Sequence, residues 1–173
     1  FGGGARLLSV GSLKSEKNFP LLVRAFARLA QQREASLVIL GDGPLRAEVD
    51  TAAAAAGVAG RLALPGFVAE PRAFYEAADL FVMSSDFEGF GNVIVEAMRA
   101  GLPVVSTDCG GPREILGGGA YGLLVPPGDE AALAEAIGAA LDRSVDQERL
   151  RARAEALSGA GSAEAYLRLM LPR

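Results

Sequence analysis

Short apolar runs recur along this chain, and most stop at a glycine or a small polar residue before a longer stretch of helical period begins. Leu7-Leu8-Ser9-Val10 stops at Gly11, and Leu37-Val38-Ile39-Leu40 stops at Gly41. Leu62-Ala63-Leu64 precedes Pro65-Gly66. Leu80 to Met83, Pro103 to Ser106 and Gly122 to Val125 complete the set. The runs are nearly continuous rather than alternating, which marks strands covered on both faces, as in parallel sheets. Between them, Phe19 to Gln32 places Phe19, Leu22, Val23, Phe26 and Leu29 at helical spacing. Further helices are expected over Pro44 to Gly57, with Pro44 in the first turn, and over Pro71 to Ala78, Val93 to Ala100 and Glu130 to Leu141. Two more helical stretches are expected to fill the end. Strand-helix alternation on this scale gives an α/β sandwich of three layers with right-handed crossovers. About six parallel strands are expected.

Composition narrows the chemistry. With 173 residues, 50% apolar and 22% charged, the chain suits one domain with a core of its own. Its 17 basic and 21 acidic residues give a net charge of −4, so no domain-wide basic field exists to hold nucleic acid. It has no histidine and one cysteine, Cys109. Triads built on histidine, histidine metal sites and an internal disulfide are therefore excluded. Cys109 reads as a small buried residue. A general base would be Asp, Glu, Lys or Tyr. No apolar run approaches the ~20 residues of a membrane helix, and no signal peptide opens the chain. A cytoplasmic location is expected. The start at Phe1, followed by Gly2-Gly3-Gly4, reads as that of a fragment.

Ligands on such sheets bind where strands end, near the switch in strand order. Those loops carry the informative residues. Glu88-Gly89-Phe90-Gly91-Asn92 puts two glycines around an aromatic just before a helix. Glycines admit a close ligand, and the helix start favours an anion such as phosphate. A bare Gly-x-Gly is, however, more often a plain tight turn. The helix Val93 to Ala100 is apolar on almost all sides, so Glu96 is either buried and in need of hydrogen-bond donors, such as ribose hydroxyls, or solvated and favoured by the dipole. Lys17 either meets a diphosphate as a point charge or pairs with Glu16 on the surface. Gly41-Asp42-Gly43 lacks the third glycine of the dinucleotide fingerprint, because Arg46 stands there. Gly110-Gly111 offers another backbone nest or a bland loop. Asp42, Asp86 and Asp108 follow strands without the spacing of a ligand cluster, so no metal is expected.

Taken together, these loops resemble the donor-binding half of the retaining GT-B glycosyltransferases, the "glycosyl transferases group 1" family. The match centres on Glu88-Gly89-Phe90-Gly91-Asn92-Val93-Ile94-Val95-Glu96 and runs on to Ser106, with the family's E-x7-E spacing in Glu88 and Glu96. Gly41-Asp42-Gly43-Pro44, Gly66-Phe67-Val68, Gly111-Pro112 with Glu114, and Gly122 to Asp129 follow the family order. The resemblance covers about residues 6–142, with the C-terminal helices at 143–173 outside it.

The resemblance implies a single Rossmann-like domain over 1–173, one half of a GT-B fold, with the N-terminal acceptor domain absent. It implies transfer of a sugar from a nucleotide-diphosphate sugar to an acceptor glycan, lipid or small molecule, with retention of configuration. Glu88 would be catalytic, contacting hydroxyls of the transferred sugar. Lys17 would bind the diphosphate, and the backbone of Gly89, Phe90 and Gly91 the phosphates or sugar. Glu96 would hold the ribose, and the backbone near Val68 the nucleobase. A UDP-sugar is the default donor, with no further cofactor. Any membrane contact would come through the missing domain. Many members carry arginine where this chain has Ser12, so Lys14 would substitute or Lys17 and the backbone would suffice. Two other readings are an epimerase half on a similar fold and a non-catalytic domain that binds a nucleotide sugar or a protein.

Overall fold

A computed structural model describes residues 1–158. The strands are β1 (Ala5–Val10), β2 (Ala35–Leu40), β3 (Leu62–Gly66), β4 (Leu80–Met83), β5 (Val104–Thr107) and β6 (Leu123–Val125). The helices are α1 (Phe19–Ala30), α2 (Arg46–Ala55), α3 (Arg72–Ala77), α4 (Asn92–Arg99), α5 (Gly111–Ile115), α6 (Glu130–Leu141) and α7 (Gln147–Leu157). All six strands join one sheet in the order β3-β2-β1-β4-β5-β6. Every pairing is parallel, and β1 lies on β2 in full register from Ala5 opposite Ala35 to Val10 opposite Leu40.

Successive strand side chains point to opposite faces, and both faces here are covered. Leu7, Leu37, Ile39, Val82 and Val105 pack with α1, α2 and α6. Leu8, Val38, Phe81 and Val104 pack with α3, α4 and α7. This explains the unbroken apolar runs: each side of each central strand needs an apolar side chain.

Helix ends follow from local chemistry. Asn18 stands at φ 43° and its side chain accepts from the Leu21 amide at 3.3 Å, starting α1 with Pro20 behind it. Asp129 accepts from the Ala132 amide at 2.9 Å and starts α6. Arg24 and Arg28 of α1 both donate to Glu130, at 3.0 and 2.6 Å, fastening α1 to α6.

Several boundaries differ from the sequence expectation. Pro44 lies before α2 and not in its first turn, because the Leu45 amide donates to the Leu13 carbonyl at 3.1 Å and holds that segment as a turn. α1 ends at Ala30 and not Gln32. α5 arises where a loop was expected. It has Pro112 in its first turn and is too short to show a hydrophobic period. Of the two C-terminal helical stretches expected, the first is α7, and the second lies outside the described residues.

Candidate functional site

Strand order reverses about β1: the chain proceeds from β1 to β2 on one side and later places β4 on the other. The loops leaving β1 and β4 therefore rise side by side, and the crevice between them is where a parallel sheet binds ligands. The two loops are stitched together. Ser84 Oγ donates to the Lys17 carbonyl at 2.9 Å, and the Asp86 amide donates to the Glu16 carbonyl at 2.9 Å. Asn18 Nδ2 donates to the Asp86 carboxylate at 3.0 Å. Lys17 Nζ donates to the Glu88 carboxylate, not to Glu16.

The loop after β5 closes the third side. The Glu88 amide donates to the Cys109 carbonyl at 3.3 Å, and the Gly111 amide donates to the Glu88 carbonyl at 3.1 Å. A Cβ on Gly111 would lie 2.5 Å from Phe90 Cα and 2.6 Å from Gly89 O, so only glycine permits this approach. The pair Gly110-Gly111 thus supports the Gly89–Gly91 loop. Gly91, at φ 102°, turns the chain into α4, whose N-terminus has no side-chain cap. Its amides and dipole are left for an anion.

A cavity of about 280 Å³ lies at this point, lined by Gly11, Ser12, Lys17, Glu88, Phe90, Gly91 and Asn92. Lys17 is the one basic side chain lining it among the described residues; Ser12 faces it and Lys14 does not. Of the two alternatives for the Ser12 position, Lys14 as a substitute or Lys17 with the backbone, this lining contains the residues of the second. A larger cavity of about 660 Å³ adjoins it, sharing Val10 and Val93. Phe67, Val68, Tyr75, Glu96 and Arg99 line it.

Glu96 was expected to be either buried or solvated, on a helix apolar on almost all sides. The structure shows it exposed: Asn92, Glu96 and Arg99 form an exposed stripe on α4, while Ile94, Val95, Ala97 and Met98 are buried. Glu96 and Arg99 line the larger cavity across from α3, and Asn92 lines the smaller one. Sequence reasoning missed Tyr75. It is 4% exposed, and its hydroxyl donates to Glu96 Oε2 at 2.9 Å. Burial, reinforced by the Glu96 charge, pushes its phenol well above the usual range. A lone tyrosine in a short helix carries no signal of such a role.

Other singled-out residues have structural partners. Gly41, at φ 141°, has no room for a Cβ against the Gly11 carbonyl, and Gly43 presses on Leu13. The Gly-Asp-Gly turn thus packs two loops together. Asp108 pairs with Arg113 (Nε to Oδ1, 2.9 Å), and Asp42 accepts from the Gly43 amide at 2.8 Å. Among the described residues, no three acidic, cysteine or histidine side chains gather as metal ligands. Cys109 is buried, which raises its thiol pKa and suits the packing role. No helix among the described residues is long and apolar enough to cross a membrane.

Comparison with known proteins adds to this geometry. The family described as "Glycosyl transferases group 1" matches residues 4–143. The lipopolysaccharide core biosynthesis glycosyltransferase LpsE of Rhizobium meliloti is 38% identical across 95% of this chain and 49% of its own length. The 2-deoxystreptamine glucosyltransferase of Streptomyces kanamyceticus is 37% identical across 81% of this chain and 37% of its own. The chain thus spans about half the length, or less, of these curated relatives. Among solved structures, Anabaena HepE in complex with UDP and glucose superposes with a TM-score of 0.84 at 25% identity, over 95% of this chain and 47% of that one. Sucrose-phosphate synthase of Thermosynechococcus elongatus superposes with a TM-score of 0.80 at 29% identity, over 96% of this chain and 45% of that one.

Proposed function

The chain belongs to the group 1 glycosyltransferases, and from that premise we propose that it is the half of such an enzyme that binds a nucleotide-diphosphate sugar. The observation that carries this reading is the meeting of Lys17, Glu88 and the uncapped start of α4 around one cavity, with Glu96 and Val68 lining the next. On this reading the diphosphate takes the Lys17 ammonium and the amides at Gly89, Phe90, Gly91 and the α4 start. The base and ribose occupy the larger cavity, at the Val68 backbone and the Glu96 carboxylate. Glu88 accepts hydroxyls of the sugar and is the catalytic carboxylate. HepE, whose structure holds UDP and glucose, supports a uridine diphosphate sugar as donor.

The chemistry follows from charge. The bond between the anomeric carbon and the diphosphate oxygen breaks, and the oxygen leaves with the electron pair. Negative charge grows on the diphosphate, where Lys17 and the helix amides already stand, oriented before the reaction begins. The acceptor oxygen bonds to the same carbon from the same face, so that configuration is retained, and its proton passes to the departing diphosphate oxygen. That step needs the acceptor held at near-attack distance and water excluded. Both are assigned to the part of the relatives' length that this chain does not span.

The test is calorimetric titration of the 173-residue chain with UDP-glucose, UDP-N-acetylglucosamine and UDP-galactose, beside a transfer assay with a broad acceptor panel. Donor binding without transfer is expected. Absence of binding to all three refutes the UDP-sugar assignment. Transfer as fast as that of a two-domain enzyme refutes the half-site assignment.

A further inference from the structure

Glu96 lies on an exposed stripe of a helix, and a free glutamate there samples several rotamers. Here it does not stand free. Tyr75 reaches it from α3, 21 residues earlier in sequence, and donates to Oε2 at 2.9 Å. Tyr75 itself is held. Its ring is 4% exposed and packs against Phe81 with centroids 6.0 Å apart. The Tyr75 amide donates to the Pro71 carbonyl at 3.2 Å, inside the first turn of α3. A rigid, buried ring therefore carries one hydroxyl to the edge of the larger cavity. A phenol buried this far is costly without a partner. The partner it has is the carboxylate that faces the ligand space.

Among the described residues, Glu96 Oε1 accepts from no protein donor, while Oε2 is taken by Tyr75. We propose that Tyr75 is the positioning residue of the ribose subsite: its hydroxyl occupies one Glu96 oxygen and so aims the other at the paired hydroxyls of a ribose. This rests on the reading of Glu96 as the ribose acceptor. The raised phenol pKa supports it, because Tyr75 stays a donor across the pH range in which the carboxylate is charged. Tyr75 touches Glu96 and not the reacting atoms, so its effect falls on nucleoside recognition and spares the diphosphate.

The experiment compares the 173-residue chain with its Tyr75→Phe variant, which keeps the ring and its packing. UDP, GDP and ADP are titrated by calorimetry, and the tightest binder is then repeated as its 2′,3′-dideoxy form. The wild type should bind the ribose form more tightly. Tyr75→Phe should weaken that form by about 3- to 10-fold, the scale of one glutamate side chain set free to rotate. The dideoxy form should bind both proteins equally, and so should inorganic pyrophosphate, since Lys17 is untouched. An unchanged ratio of ribose to dideoxy affinity in Tyr75→Phe overturns the proposal. So does an equal loss for the ribose form, the dideoxy form and pyrophosphate, which is the mark of a merely structural role. A wild type that does not discriminate the dideoxy form, or that binds none of the three nucleotides, refutes the ribose reading of Glu96 and the proposal falls with it.

Discussion

The Lys17 ammonium and the Glu88 carboxylate form an ion pair across 71 residues of sequence, with side chains only 19% and 17% exposed. Lys17 leaves β1 and Glu88 leaves β4, and only the adjacency of those strands brings the charges together. Each charge neutralises the other. On the proposed reading, a diphosphate and its sugar compete for both.

Lys17→Ala should cost roughly 1.5–3 kcal/mol of nucleoside diphosphate binding, the scale of a hydrogen bond to a charged group. That is about 10- to 100-fold in affinity. The loss should shrink as salt is added, since screening weakens the attraction that the substitution removes. Calorimetry showing an unchanged affinity removes Lys17 from the site.

Glu96→Gln and Glu88→Gln should differ in what they weaken. Glu96→Gln should weaken UDP and UDP-glucose alike, because both carry the ribose. Glu88→Gln should weaken only UDP-glucose, because its partner hydroxyls are on the sugar. A loss of free UDP affinity in Glu88→Gln equal to the loss for the conjugate contradicts the assignment.

Gly111→Ala should disrupt the site from behind. The added Cβ would meet backbone atoms of Phe90 and Gly89, which cannot swing aside as a side chain can. Overpacking of this kind costs about 1–3 kcal/mol, or roughly 2–4 °C in melting midpoint per kcal/mol at this size. Donor binding should fall with it. Gly89→Ala is the control, since nothing lies within 4 Å of its Cβ and the midpoint should stay put. Equal midpoints for both variants would show that the β5 loop does not brace the Gly89–Gly91 turn.

Acid stability should depend in part on Asp79. It accepts from the Arg6 amide at 2.8 Å and from Arg6 Nε at 3.0 Å, tying β1 to the turn before β4. The Arg6 guanidinium holds its pKa below the usual 3.8. A depressed carboxylate stabilises the fold fully above that usual value and loses its share as pH falls through the lower folded value. The pair is over a third exposed, so solvent screening keeps its contribution small. Urea unfolding of Asp79→Ala should show a small deficit at pH 7 and a closing gap below about pH 4, near the reference carboxylate value. A gap that persists unchanged at pH 2 assigns the effect to packing instead.

The sequence by itself determined the elements and the family. Apolar runs such as Leu37 to Leu40 and Leu80 to Met83, and the period of Phe19, Leu22, Val23, Phe26 and Leu29, act locally: a strand buried on both faces or an amphipathic helix leaves its period in the residues themselves. The Glu88 to Glu96 motif is likewise one continuous stretch, readable without knowing what faces it. Which strands adjoin was decided only in three dimensions, and with it the pairing of Lys17 with Glu88 and of Tyr75 with Glu96. The exposure of Glu96 is the clearest case. The α4 sequence is apolar enough to suggest burial all round. Yet α4 packs through Ile94, Ala97 and Met98 and leaves Asn92, Glu96 and Arg99 over two adjoining cavities. A helix records how much of itself is apolar, but which side remains open depends on the neighbours that pack against it, and those arrive from distant parts of the chain.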